Sequence, residues 1–219
     1  MPGPFFFAGS PPERAEGGGG ASGPPPLLVR GGTLLTLDSE AKVLEGHDLL
    51  AVGGRIAALA PSIPPPPGAR VLDAGGALVL PGLVQGHVHL GQTLFRGLAE
   101  ERRLLAWLRE RIWPLEAAHD AESAYWSGLL GAAECLLGGT TTVQDIGIGP
   151  EAASLLAAIG DSGLRATAGK CLMDVGEGLP ARLAESTERC LAETEELARR
   201  WHGANGEQWL RAGEREARV

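Results

Sequence analysis

From Leu83 to Trp201 two kinds of apolar spacing alternate, and that alternation leaves this chain few folds to choose from. Leu83-Val84, Thr140 to Asp145 and Leu164 to Cys171 are short apolar or β-branched runs bounded by turn residues, the pattern of buried strands. Between them the period is helical. Leu104, Leu105, Leu108 and Ile112 fall on one face, and Pro114 is expected to stop that helix. A second helix is expected from an Asp120 N-cap through Leu129, Leu130, Ala133, Leu136 and Leu137 to Gly138-Gly139. Others are expected from about Glu151 to Gly160 and from about Ala181 to Trp201. Strands alternating with helices predict right-handed βαβ units on a parallel sheet. The fold class is therefore α/β, the start of a (β/α)8 barrel with about three βα units. From Val84 to Val219 the chain is little more than half the ~250 residues of a complete barrel. Val84, Val88, Val143 and Ile146 are candidates for the inner face of its strands.

Ahead of this region the pattern differs. Residues 1–26 are rich in Gly and Pro, with little that could form a core, and are expected to be disordered. Residues 27–79 carry five short apolar runs, with Gly31-Gly32 and Gly53-Gly54 placed as hairpin turns, and predict a small antiparallel β domain. Residues 80–203 form the partial barrel, and 204–219 a divergent charged tail without the next apolar strand.

The run Leu80-Pro81-Gly82-Leu83-Val84-Gln85-Gly86-His87-Val88-His89 ends in two imidazoles two residues apart. On a strand, residues i and i+2 project to one face, so His87 and His89 can share one ion. They would stand at the carboxyl end of their strand, where barrels place their chemistry. The plainer alternative is a pair of histidines satisfied by hydrogen bonds.

The flanking residues resemble a known family. Pro81-Gly82-Leu83-Val84, then His87-x-His89, is similar to the first-strand signature of the amidohydrolase superfamily. Gly91 to Ala99, Leu104 to Leu108 and Ile112-Trp113-Pro114-Leu115-Glu116 resemble its cytosine-deaminase-like and chlorohydrolase-like branch, which includes adenosine-derivative and 8-oxoguanine deaminases. The similarity runs from about Leu27 to about Gly203. It implies a β-sandwich-like domain before the barrel, and a divalent metal, zinc first with iron(II) as alternative, held by His87 and His89. It implies deamination of an aminated purine, adenosine derivative or related heterocycle, with Glu116 contacting substrate. It also implies a His on each of the fifth and sixth strands, an Asp on the eighth and a proton-shuttling Glu, positions with no counterpart in this sequence. No catalytic residue is assigned. The competing expectation is a truncated, catalytically inactive amidohydrolase fragment, or an interaction partner of a full-length homologue.

Other residues carry weaker signals. Asp145, at a strand's carboxyl end, either lines the pocket or caps the following loop. His119-Asp120-Ala121-Glu122 imitates a ligand-and-base pair, although helix capping explains it better. Lys+Arg 19 against Asp+Glu 27 gives a net charge of -8 without any basic run, which argues against nucleic acid or an anionic membrane and leaves a small molecule as partner. A homo-oligomer is compatible with the sequence. Cys135, Cys171 and Cys190 are odd in number and widely spaced, as expected of free thiols in the cytoplasm. No apolar stretch reaches the roughly 18 residues of a membrane helix.

Overall fold

The computed structural model describes residues 24–147 and 149–203, and the backbone of a short strand at Leu210–Ala212. The disorder expected before Leu27 and most of the charged tail lie outside the described residues. The described residues divide into two units, one ending at Pro81 and one beginning at Gly82.

The smaller unit is one sheet of β1 Leu27–Leu35, β2 Val43–Val52, β3 Arg55–Ala60, β4 Arg70–Asp73 and β5 Leu78–Val79. Its order is β3-β2-β1-β4, with β5 also paired to β1. β1, β2 and β3 are antiparallel, and Gly53 and Gly54 turn the β2–β3 hairpin at φ 58° and 75°. The antiparallel expectation is corrected at β4 and β5, which run parallel to β1. Pro64 to Pro67 supply no N–H donors, so the segment between β3 and β4 crosses the sheet instead of folding back as a hairpin. Gly31-Gly32 is also not a hairpin. Both residues lie within β1 at an irregularity opposite His47, where Gly31 has φ 70°. Beside it the N–H groups of Ile63 and Gly31, each 2.9 Å from the Asp48 carboxyl, hold that group below the usual carboxylate range.

The larger unit is a parallel sheet, in order β6 Leu83–Val88, β7 Thr140–Gly147, β8 Arg165–Lys170 and β9 Leu210–Ala212. β9 corrects the expectation of a tail without a strand. Three residues suffice to pair with Ala166–Ala168, yet they are too few to show a period in sequence. A 3-10 turn at Leu90–Phe95 follows β6, then α1 Leu104–Trp107, a π-helical stretch at Leu108–Ile112, and α2 Trp113–Ala118. The crossovers use α3 Ala121–Leu137, α4 Ala152–Ser162 and α5 Thr187–Trp201.

Two helix limits differ from expectation, each for a local reason. Pro114 does not end a helix but falls in the first turn of α2, where its missing N–H costs nothing, and the π-helical stretch before it absorbs the change of register. α5 begins later than Ala181 because Ser186 caps it, accepting from the Arg189 N–H at 3.2 Å. Asp120 does cap α3: its carboxylate takes the Ser123 N–H at 2.8 Å, and Ser123 Oγ takes the Asp120 N–H at 2.9 Å.

The core lies between sheet and helices. Val143, Ala166 and Ala168 meet Leu155, Leu156 and Ile159 of α4 and Leu197 and Trp201 of α5. Val143 therefore faces the helices, and Val88 packs on the same cluster, so the four valine and isoleucine positions do not share one face. Two causes act: Val143 and Ile146 are three residues apart on β7 and alternate, and on β6 Val84 pairs with Thr142 but Val88 with Asp145, so the irregularity between them reverses side-chain parity. Val84 consequently stays 72% exposed.

α3 and α4 approach closely through Gly128, where a Cβ would stand 2.5 Å from Leu155 Cδ1 and 3.2 Å from Ala158 Cβ. Gly128→Val is expected to destabilise the unit by about 1–3 kcal/mol through overpacking, outweighing the gain in helix propensity. Urea unfolding checks this; an unchanged midpoint would mean that the helices part at no cost.

Candidate functional site

His87 and His89 stand at the carboxyl end of β6, with ring centroids 5.0 Å apart and planes at 86°. His87 is exposed and His89 half-buried. Burial pushes the His89 imidazole below its usual range, the Ile146 carbonyl 3.3 Å from Nδ1 opposes that, and nearby His87 adds to it. Neutral imidazole is the form that donates to a metal. With Nδ1 directed at the carbonyl, Nε2 keeps its lone pair free.

The segment after His89 is tied down by polar side chains from three other elements. The Leu90 N–H donates to Asp145 Oδ1 of β7 at 2.8 Å. Ser127 Oγ of α3 donates to Gly91 O at 2.9 Å, and His119 Nε2 bonds the same carbonyl at 2.9 Å. Phe95 stacks on the His119 ring at 4.8 Å, and the other ring nitrogen meets Ser123 Oγ. His119 is thus a buried brace, and Glu122 beside it is exposed. Gly131 lets α3 come near: a Cβ there would stand 2.4 Å from Thr93 Oγ1 and 3.0 Å from Leu90 Cδ2.

Glu116 on α2 is linked to the histidines by a short path. The Gln92 backbone N–H donates to His89 O at 3.0 Å, and its side-chain Nε2 donates to Glu116 Oε1 at 2.9 Å. Burial pushes the Glu116 carboxyl up, against the lowering effect of the Gln92 bond. Oε2 is left as a further acceptor. A cavity of about 560 Å3 opens beside His89, walled by Gln85, Val88, Arg96, Glu134 and Cys135 among others, but neither His87 nor Glu116 lines it. Arg96 and Glu134 close one side as a two-pronged ion pair at 3.0 and 2.6 Å. Among the described residues, no group of three or more His, Cys, Asp and Glu could hold a metal.

Asp145 is 2% exposed and does not open onto a pocket; its carboxyl caps the turn after His89. Burial pushes its pKa up to about 7, with the Leu90 N–H pulling the other way. Between about pH 4 and 7 the folded chain keeps a proton that the unfolded chain has released, so stability falls as pH rises through that window. We expect this group to contribute a loss of order 1–4 kcal/mol between pH 5 and 8 in urea unfolding. The loss is read as the difference between the parent and Asp145→Asn, because the shifted His89 and Glu116 groups are present in both.

Sequence reasoning missed Gln92, Ser127 and a buried cluster at the end of β8. There Lys170 Nζ lies 2.7 Å from the Glu185 carboxylate and also pairs with Glu193, with the side chains of Lys170 and Glu185 1% and 2% exposed. A signal existed: Lys170 shares parity with Ala166 and Ala168, both buried. All three cysteines are free, and no described helix is long and apolar enough to cross a membrane.

The profile of the amidohydrolase family matches residues 78–213. The 5-methylthioadenosine/S-adenosylhomocysteine deaminase of Symbiobacterium thermophilum is 38% identical over 181 residues, covering 82% of this chain and 40% of that protein. The 5'-deoxyadenosine deaminase of Methanobrevibacter smithii is 43% identical over 108 residues, 49% of this chain and 24% of its own length. Among solved structures, an adenosine deaminase from Xanthomonas campestris with bound zinc aligns at TM-score 0.74 and 30% identity, covering 85% of this chain and 42% of that one. Atrazine chlorohydrolase from Arthrobacter aurescens TC1 complexed with zinc aligns at TM-score 0.74 and 25% identity, covering 85% and 46%. The chain spans about two fifths of the length of the first of these relatives.

Proposed function

The chain belongs to the amidohydrolase family, and from that we propose that it serves a metal-dependent hydrolase of C–N bonds that deaminates an aminated purine, adenosine derivative or related heterocycle. The observation that carries this is the His87–His89 pair. The two rings stand beside each other, 5.0 Å between centroids, and imidazole nitrogen is a donor that zinc accepts. The nitrogen donors and the zinc in two solved relatives favour zinc, with iron(II) as the alternative.

When bound, the metal supplies acidification of a water beside the ring carbon that bears the amino group. His89 holds its ring in place through Ile146, and burial keeps that ring neutral. Glu116 takes the substrate-contacting role: Gln92 occupies Oε1, and Oε2 accepts from a donor such as a ribose hydroxyl. Half-burial strengthens that bond relative to one made in open water. A (β/α)8 barrel is the architecture in which such a strand end faces a pocket, and β6 to β9 with their helices are consistent with its first four strands.

The second reading, a catalytically inactive chain that partners a longer homologue, is favoured by one observation: no third donor joins the pair among the described residues. One assay separates the two. The purified chain is given zinc and 5-methylthioadenosine, guanine or cytosine, and ammonia is measured. Zinc-dependent release that His89→Ala abolishes supports the hydrolase; zinc uptake without ammonia supports the partner.

A further inference from the structure

We propose that Asp145 is a positioning residue for the His87–His89 pair, setting the pose of His89 by holding the backbone N–H of Leu90. The inference rests on the metal-site reading above. Two consecutive residues of β7 grip two consecutive residues beyond β6. Asp145 Oδ1 takes the Leu90 N–H at 2.8 Å, and the carbonyl of Ile146 meets His89 Nδ1 at 3.3 Å. One contact fixes the backbone just after the imidazole, and the other fixes the ring.

The strand ladder cannot do this by itself. β6 and β7 pair at Gln85 and Val143, then lose register and regain it at Val88 and Asp145. His87 sits within that irregularity, and His89 lies past the last paired residue. The Asp145 side chain carries the grip two residues further than backbone pairing reaches.

Packing alone does not account for an acid here. Asp145 is 2% exposed, and Oδ2 has no hydrogen-bond partner among the described residues. An apolar side chain of the same outline fills such a space at lower cost. What only an acceptor supplies is the bond to Leu90, whose own side chain is buried in the core cluster. A shift at that N–H would therefore move His89 as well as the turn.

The test uses Asp145→Ala and Asp145→Asn in the full chain, with zinc affinity by competition dialysis and the ring 15N shifts of His89 in labelled protein without metal. Loss of the acceptor is expected to weaken zinc binding ~10–100-fold, the usual range for residues that orient a ligand, and to move the His89 ring signals. Asp145→Asn, which keeps a carbonyl oxygen at the same place, restores both. Unchanged affinity and an unmoved ring in folded Asp145→Ala overturn the proposal. If the unsubstituted chain takes up no zinc, the metal-site reading fails separately and the ring shifts alone decide: moved in Ala and restored in Asn upholds positioning, unmoved overturns it. Should Asp145→Ala lose its cooperative melt, Asp145→Leu fills the space and carries the same two measurements.

Discussion

Zinc uptake at neutral pH disappears when either His87 or His89 is replaced by alanine. The two imidazoles are neighbours, 5.0 Å between centroids, and no described His, Cys, Asp or Glu completes a set of three around them. A structural zinc site has four ligands, so two supply half the coordination and the starting affinity is weak. Removing one leaves a single imidazole, no better than a surface histidine. Equilibrium dialysis of the purified chain checks this, with both single variants and the double variant measured alongside. Stoichiometric binding that survives both substitutions would place the metal elsewhere and sink the site. His47 and His202 serve as controls, since the geometry gives neither a partner imidazole.

The largest loss of stability among single substitutions is expected at Lys170. Its ammonium group is enclosed with the Glu185 carboxylate, 2.7 Å away, and with Glu193. Lys170→Met keeps the apolar length of the side chain but takes from Glu185, whose side chain is 2% exposed, its nearest cation and leaves it only Arg189 at 3.6 Å. Breaking a buried pair costs about 3–5 kcal/mol when nothing compensates the charge left behind. With Arg189 still beside Glu185 the expected loss is about 3 kcal/mol, a large part of the roughly 5–15 kcal/mol that holds a domain together. Glu193, partly exposed, can turn to solvent; Glu185 cannot. Adding Glu185→Gln to Lys170→Met should recover much of the loss. A thermal melt of the single variant within one or two degrees of the parent would mean that water reaches the cluster.

How far the sequence could be followed depended on whether the signal was local. α3 was legible because Asp120 marks a cap and Gly138-Gly139 a stop within the segment itself. The parallel β6, β7 and β8 were legible as alternation, and the crossovers between them set the sheet order. Three features were hidden. The β6 irregularity reverses which valines face the helices, and nothing in Val84 to Val88 announces it. The parallel pairing of β4 and β5 depends on where a proline-rich connection lands, which no short window contains. Pro114 was misread as a stop because a proline in a helix interior and one in a first turn look alike until the π-helical stretch is seen. At the site the pattern is the same. His87, His89 and Glu116 could be named from motifs and Asp145 from its strand end, whereas Gln92, Ser127 and the identity of the turn that Asp145 caps depend on contacts that span 24 to 55 residues.

Both proposed ligands come from one tripeptide, while the groups that orient them come from β7, 55 and 57 residues away in sequence. The donors therefore remain adjacent even when the chain is unfolded. An ion can be held by His87 and His89 in either state, and only the difference between the two affinities stabilises the fold. Zinc should raise the melting temperature by less than its affinity for the folded chain suggests. During synthesis the metal can load before β7 has emerged, and the later docking of β7 then converts a loose chelate into an oriented one.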